Sequence, residues 1–444
     1  MLSLSLLLPS FAMASDHGEH DHEEWKTDVA TPAGDLRAHL DYLFSEHAFL
    51  AITAMQKGID GAEDFEATAA SLNENTEGLT AAIEGVYGAE AGEAFNEMWN
   101  DHIGFFVDYV MATAEENDEA KEEALNNLSQ YRDDFAEFLS GATDGKLPVD
   151  DLANGLQMHV DDLIGAFDSY VEGDNESAYQ QVRDAYAHMF HVSKDLSWAI
   201  TEQFPEEFDN TTVDTPAVET RSHLSFLFSE HTALAILTMQ KGVDGAEDFD
   251  TAAWALDENT ADLSAAVESF YGAEAGEAFH QMWDEHIGFF VDYVTATVEE
   301  DDEAREEALN NLENYRDDFA AFLSGATDGN LPEEDLANGL QAHVDQVTMA
   351  FDSYVEGDFD TAYSSVREAI HHMYMPAEGL AAALVAQFPE EFESDAMPEE
   401  MPQTGMGGAS AASGDSLAVM WVTMGALLAL LTLVFIRKRA INEQ

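Results

Sequence analysis

The chain has 444 residues, 90 of them acidic against 16 basic, for a formal charge of −74. That balance excludes nucleic acid as a partner, since phosphate binding needs a basic surface, and the absence of cysteine excludes disulfides, thiolate metal sites and cysteine nucleophiles. An apolar fraction of 46% separates it from disordered acidic chains and lets it bury a core, while so acidic a surface suits an exported protein in a medium whose ions screen it.

In chain order, the first stretch reads as an export signal. Leu2 to Phe11 is apolar, and Ala12-Met13-Ala14 has the small-x-small pattern of a cleavage site, so residues 1–14 are the predicted signal peptide. Residues 15–34 follow as an acidic tail carrying His17, His20 and His22, a polar strip able to hold a transition metal loosely.

The next feature is an internal duplication. Leu43-Phe-Ser-Glu-His47 returns as Leu227-Phe-Ser-Glu-His231, and Tyr131-Arg-Asp-Asp-Phe135 returns as Tyr315-Arg-Asp-Asp-Phe319. His102-Ile-Gly-Phe-Phe-Val-Asp-Tyr109 returns from His286 to Tyr293, and Gln203-Phe-Pro-Glu-Glu-Phe208 from Gln387 to Phe392. Every pair is offset by 184 positions, so the copies match without a gap. The first copy is set at 35–208, the second at 219–392, with a polar linker at 209–218.

Within each copy, apolar residues recur at spacings of three and four, as in Leu36, Leu40, Leu43, Phe44 and Leu50, and no alternating strand pattern occurs. Breaks rich in Gly and Asp divide the first copy into six predicted helices, at 35–57, 62–86, 89–116, 118–140, 149–172 and 175–203. The fold class expected is all-α: two tandem copies of a six-helix, three-hairpin bundle domain, plus a C-terminal transmembrane helix. The alternative is a four-helix bundle with an appended hairpin. The stretch from Gly58 to Asp64 looks calcium-like but lacks EF-hand spacing, and reads as a turn between helices.

Five histidines hold matched positions: His39/His223, His47/His231, His102/His286, His159/His343 and His188/His372. His47, His102 and His159 are separated by 55 and 57 residues, and each falls on the first helix of a predicted hairpin. Imidazole is the commonest transition-metal ligand, and helix bundles build metal sites from side chains on facing helices. His47, His102, His159 and His188, with His231, His286, His343 and His372, are therefore the candidate ligands. Met98 and Met282 stand four residues before His102 and His286, on the same helix face; a thioether beside imidazole favours copper as the cofactor. The bland alternative is a set of core histidines with methionine filler. No metallopeptidase His-Glu-x-x-His, no nucleophile elbow and no phosphate-binding glycine loop is present, so catalysis is not the expected role.

At the C-terminus, residues 393–416 form a spacer containing Met401-Pro402-Gln403-Thr404-Gly405, followed by an apolar run at 417–436 and a basic tail at 437–444. An uncharged run of that length spans a bilayer as a helix, and the arginines and lysine after it place that end in the cytoplasm. The arrangement resembles the cell-wall sorting signal of sortase-anchored surface proteins of the LPXTG type, with Met401 in place of leucine. That resemblance implies cleavage between Thr404 and Gly405 by a sortase and attachment of Thr404 to peptidoglycan, with the membrane holding 417–436 before processing. The repeats are also similar to helical segments of uncharacterised secreted bacterial proteins, some labelled copper amine oxidase. The Asn-Tyr-Asp/Glu context from which such oxidases make their quinone is absent here, where Asn314-Tyr315-Arg316 and Gln130-Tyr131-Arg132 stand.

The expectation is thus an exported, wall-displayed surface protein whose helical domains bind or scaffold an unidentified extracellular ligand. The second expectation is an extracytoplasmic metal-binding protein, copper-leaning, with one His/Met site per bundle.

Overall fold

The computed structural model describes residues 28–393, and among them every regular element is helical. The predicted signal peptide, most of the acidic tail, the sorting pentapeptide, the 417–436 span and the basic tail lie outside the described residues. No helix among the described residues is long and apolar enough to cross a membrane.

The first six helices are α1 (Pro32–Asp60), α2 (Phe65–Tyr87), α3 (Ala89–Ala114), α4 (Asp118–Ala142), α5 (Val149–Glu172) and α6 (Asn175–Gln203). Their ends follow from local chemistry. Thr31 caps α1 by accepting from the Gly34 N–H at 3.0 Å, and Pro32 stands in the first turn, where its missing N–H costs nothing. Pro32 to Gly34 therefore belong to the helix and not to the preceding tail. At the other end Gly61 adopts φ +61° and closes α1 with bonds back to its last turn, the left-handed cap that glycine supplies without strain. Asp64, in the same connection, takes the Lys57 ammonium at 2.8 Å, so the calcium-like stretch is a turn with its carboxylate already paired. Asn117 and Asp174 cap α4 and α6 in the manner of Thr31.

The elements of the second copy are α7 (Pro216–Asp244), α8 (Phe249–Tyr271), α9 (Ala273–Glu299), α10 (Asp302–Ala326), α11 (Glu333–Glu356), α12 (Phe359–His372), α13 (Tyr374–Gln387) and a terminal turn α14 (Pro389–Phe392). Where the first copy has the single helix α6, the second has two. Pro376 occupies the position of Val192; proline lacks the N–H that would bond four residues back, and its ring clashes with that carbonyl. The chain interrupts the helix at Met373, whose N–H bonds instead to Ile370.

The described residues cluster into two compact units that do not follow the copy boundaries. One joins the chain up to Ser229 with the segment from Phe359 onward; the other spans Glu230–Asp358. In the first unit α1 packs on α2 and α6 and also on α3 and α5, while α2 to α6 pack in sequence and α6 closes back on α1. The six helices thus form one closed bundle with α1 at its centre. Burial of α1 is nearly continuous from Leu36 to Lys57, more than the one-faced stripe its spacing predicts, because neighbours cover it on all sides. One of those neighbours is α12, which packs on α1 and α2. In the second unit α8, α9, α10 and α11 pack in sequence.

Candidate metal centre

Three of the four histidines singled out in the first copy come together. His47 on α1, His102 on α3 and His159 on α5 each offer a ring nitrogen, and these atoms lie within 4.8 Å of one another. They arrive from alternate helices of the bundle, and α1 touches both α3 and α5 directly. Ring centroids of His47 stand 5.5 Å from His102 and 5.8 Å from His159. A common ion with metal–nitrogen bonds of about 2.0–2.1 Å would hold tetrahedral ligand atoms roughly 3.3 Å apart, so closing on a metal asks only small ring movements.

All three rings are buried, and no protein group satisfies Nδ1 or Nε2 of His47, Nδ1 or Nε2 of His159, or Nδ1 of His102. Buried polar atoms in native proteins almost always find a partner, so this concentration of orphaned nitrogens calls for one. Desolvation holds the imidazoles neutral. It lowers His102 to about 3, with the nearby His159 adding to the effect and a bond to the Trp99 backbone opposing it. It drives His47 and His159 well below the usual histidine range, again reinforced by their imidazole neighbours. A neutral imidazole with a free lone pair is the form that ligates a metal.

Aromatic rings fix the cluster. Trp99, one turn before His102, stands 4.7 Å from His47 and 4.6 Å from His102, edge-on to the latter. Tyr131 on α4 stacks on His102 at 4.8 Å and 15°. Phe95 and Phe135 extend the stack on either side. Beside the triad is a cavity of about 110 Å³, lined by His102 and His159, by aromatic and aliphatic side chains, and by Met189.

The second unit repeats the arrangement. His231, His286 and His343 form a buried group with the same 4.8 Å limit, with centroids 5.4 and 6.1 Å from His231. Trp283 meets His231 and His286, and Tyr315 stacks on His286 at 5.1 Å. Burial lowers His286 to about 4 and His231 well below the usual range.

The remaining predicted ligands are placed otherwise. His188 donates from Nε2 to the Gly155 carbonyl at 3.0 Å and is not in the triad. His372, its counterpart, ends α12, in the first unit. Met98 packs half-buried against the core beside Trp99, and Met282 is likewise half-buried; neither belongs to the His clusters. Met189 is the methionine at the cavity. The spacing argument did not include Tyr131, which is followed by the polar residues Arg132, Asp133 and Asp134. The signal that finds it is the buried series Ala124, Leu128, Tyr131 and Phe135, a helical stripe at spacings of three and four. Comparison with known protein families, curated proteins and solved structures found no match to this chain.

Proposed function

We propose that this is an exported, wall-displayed protein whose two tandem helical copies each carry a buried tri-histidine metal centre, with copper as the favoured ion. The observation that carries the reading is the convergence of His47, His102 and His159 within 4.8 Å, repeated by His231, His286 and His343. Three all-nitrogen ligands suit the later first-row ions, for which copper(II) has the highest intrinsic affinity. Display at the cell wall rests on the Met401–Gly405 pentapeptide, the apolar run after it and the basic end; attachment to peptidoglycan at Thr404 and anchoring at 417–436 belong to the same proposal. The role is metal handling outside the cell: a buried neutral site with no catalytic motif around it holds an ion rather than turning over a substrate.

Metal analysis of the untagged chain, after loading with copper, zinc or iron and desalting, tests this. The expected result is close to one equivalent for each of the two triads, and loss of binding in the paired variant His102→Ala, His286→Ala. Less than about a tenth of an equivalent per triad under those conditions overturns the metal reading and leaves a metal-free binding or scaffolding role for the same displayed bundles.

A further inference from the structure

Resting on the metal reading above, we propose that the first centre keeps an open coordination position facing an apolar cavity, and that this position takes a small diatomic molecule of the dioxygen, nitric oxide or carbon monoxide class. Three protein ligands leave a metal of this type at least one position short of a closed shell. Two of the three, His102 and His159, line the cavity, so the free position has somewhere to point.

The cavity selects by size. Its volume is about 110 Å³, several times the roughly 10–15 Å³ that a cavity needs to hold one water. It is well below the ~300–1,000 Å³ of pockets that enclose drug-sized organic ligands. It also selects by polarity. Phe44, Phe95, Phe135, Leu152 and Leu156 form much of its wall, and bringing a hydrated anion into such surroundings without a counter-charge is costly. Of the charged lining residues, Asp151 and Asp195 are exposed, and the half-buried Arg132 already spends its guanidinium on Asp133 and Gln157. A neutral diatomic meets neither penalty.

The lining holds two further clues. Trp99 Nε1 and the Tyr131 hydroxyl are buried donors without a partner, on side chains 5% and 7% exposed that both line the cavity. A bound dioxygen or nitric oxide offers the acceptor atom that each lacks. Both rings also contact His102.

Carbon monoxide on the copper(I)-loaded full chain is the direct probe. Working in a His286→Ala chain isolates the first centre. The expected result is one carbon monoxide per bound copper, seen as a single infrared C–O band that disappears on degassing. Leu156→Trp and, separately, Leu152→Trp place a large ring in the cavity at half-buried wall positions, and each should keep its copper while losing the band by tenfold or more in apparent affinity. Copper retained in the parent chain with no band overturns this proposal alone. A band of unchanged affinity in both tryptophan variants, read per bound copper, also overturns it, because the ligand would then reach the metal elsewhere. Copper lost on desalting from the parent chain overturns the metal reading, and this inference with it.

Discussion

The ring of Tyr131 lies flat on that of His102, centroids 4.8 Å apart and planes 15° from parallel, and Tyr315 repeats the contact on His286 at 5.1 Å and 20°. The stack adds to the bond with the Trp99 backbone in fixing the orientation of the His102 imidazole. Groups that orient a metal ligand commonly change affinity about 10–100-fold when removed. Tyr131→Ala should therefore weaken metal binding at the first centre by at least about tenfold, measured by competition with a chelator, and destabilise the fold by about 3–5 kcal/mol through the lost aromatic packing. Tyr131→Phe keeps the ring and should keep the metal affinity. Equal losses in the two variants would assign the effect to the hydroxyl instead.

Acid should unfold the metal-free protein through these histidines. An unfolded imidazole titrates near 6.5, whereas burial holds His102 at about 3 and His286 at about 4. Below pH 6.5 the unfolded chain binds protons that the folded chain refuses, so stability is full at neutral pH and falls as pH drops toward 4. The slope is up to roughly 1.4 kcal/mol per pH unit for each such imidazole. Asp41 runs the other way: burial raises its carboxyl from 3.8 to about 6, against the pull of Arg37 and the Ser193 and Ser222 hydroxyls, so acidification through that window favours the folded state. Urea unfolding of the metal-free chain at pH 7, 6 and 5 reads the sum. The paired variant His102→Leu, His286→Leu should flatten the dependence, and an unaltered slope would remove these imidazoles as its source.

Much of this geometry is legible in the sequence, and the remainder fails for physical reasons. Helical spacing and Gly/Asp breaks locate the six helices of the first copy within a few residues, and the 55- and 57-residue intervals put His47, His102 and His159 at equivalent places on successive hairpins. Periodicity marks which face of a helix is apolar, but it does not say which neighbour covers that face. Nothing local in α1 distinguishes a helix buried on one side from one covered by α2, α3, α5, α6 and α12. His188 shares the composition of a ligand, yet its ring is taken by a backbone carbonyl on α5, a tertiary contact. Pro376 is a local signal for the break between α12 and α13, obscured by the close match of the flanking copy. Tyr131 is hidden by three polar neighbours whose side chains leave the helix in other directions.

Surface anchoring has its own test, independent of any metal. If the pentapeptide is a sorting signal, Thr404→Ala blocks transfer to peptidoglycan and leaves the chain held by the 417–436 span. The variant should then be extracted by detergent from the native host, while the unaltered protein is released only by cell-wall digestion. Wall linkage that persists in the variant would refute processing at Thr404.

One charged tie between α12 and the first bundle is Arg367. Its guanidinium reaches Glu46 through Nε at 3.0 Å and Nη2 at 3.2 Å, and Glu74 through Nη1 at 2.6 Å. The Glu46 side chain is fully buried, whereas that of Glu74 is 60% exposed, so the first pair decides the energetics and the second adds little. Glu46 also accepts from Tyr42 at 2.8 Å and Asn75 at 2.7 Å, donors that satisfy its oxygens but carry no charge. Removing the arginine would leave a carboxylate buried without a counter-ion, which typically costs about 3–5 kcal/mol. Arg367→Ala should lower unfolding stability by about that amount. Glu46→Gln in the Arg367→Ala chain removes the stranded charge and should recover at least about half of the loss, a coupling that a double-mutant cycle reads directly. A single-variant cost below about 0.5 kcal/mol, the range of ordinary surface substitutions, would mean that α12 does not depend on this pair for its place on α1 and α2.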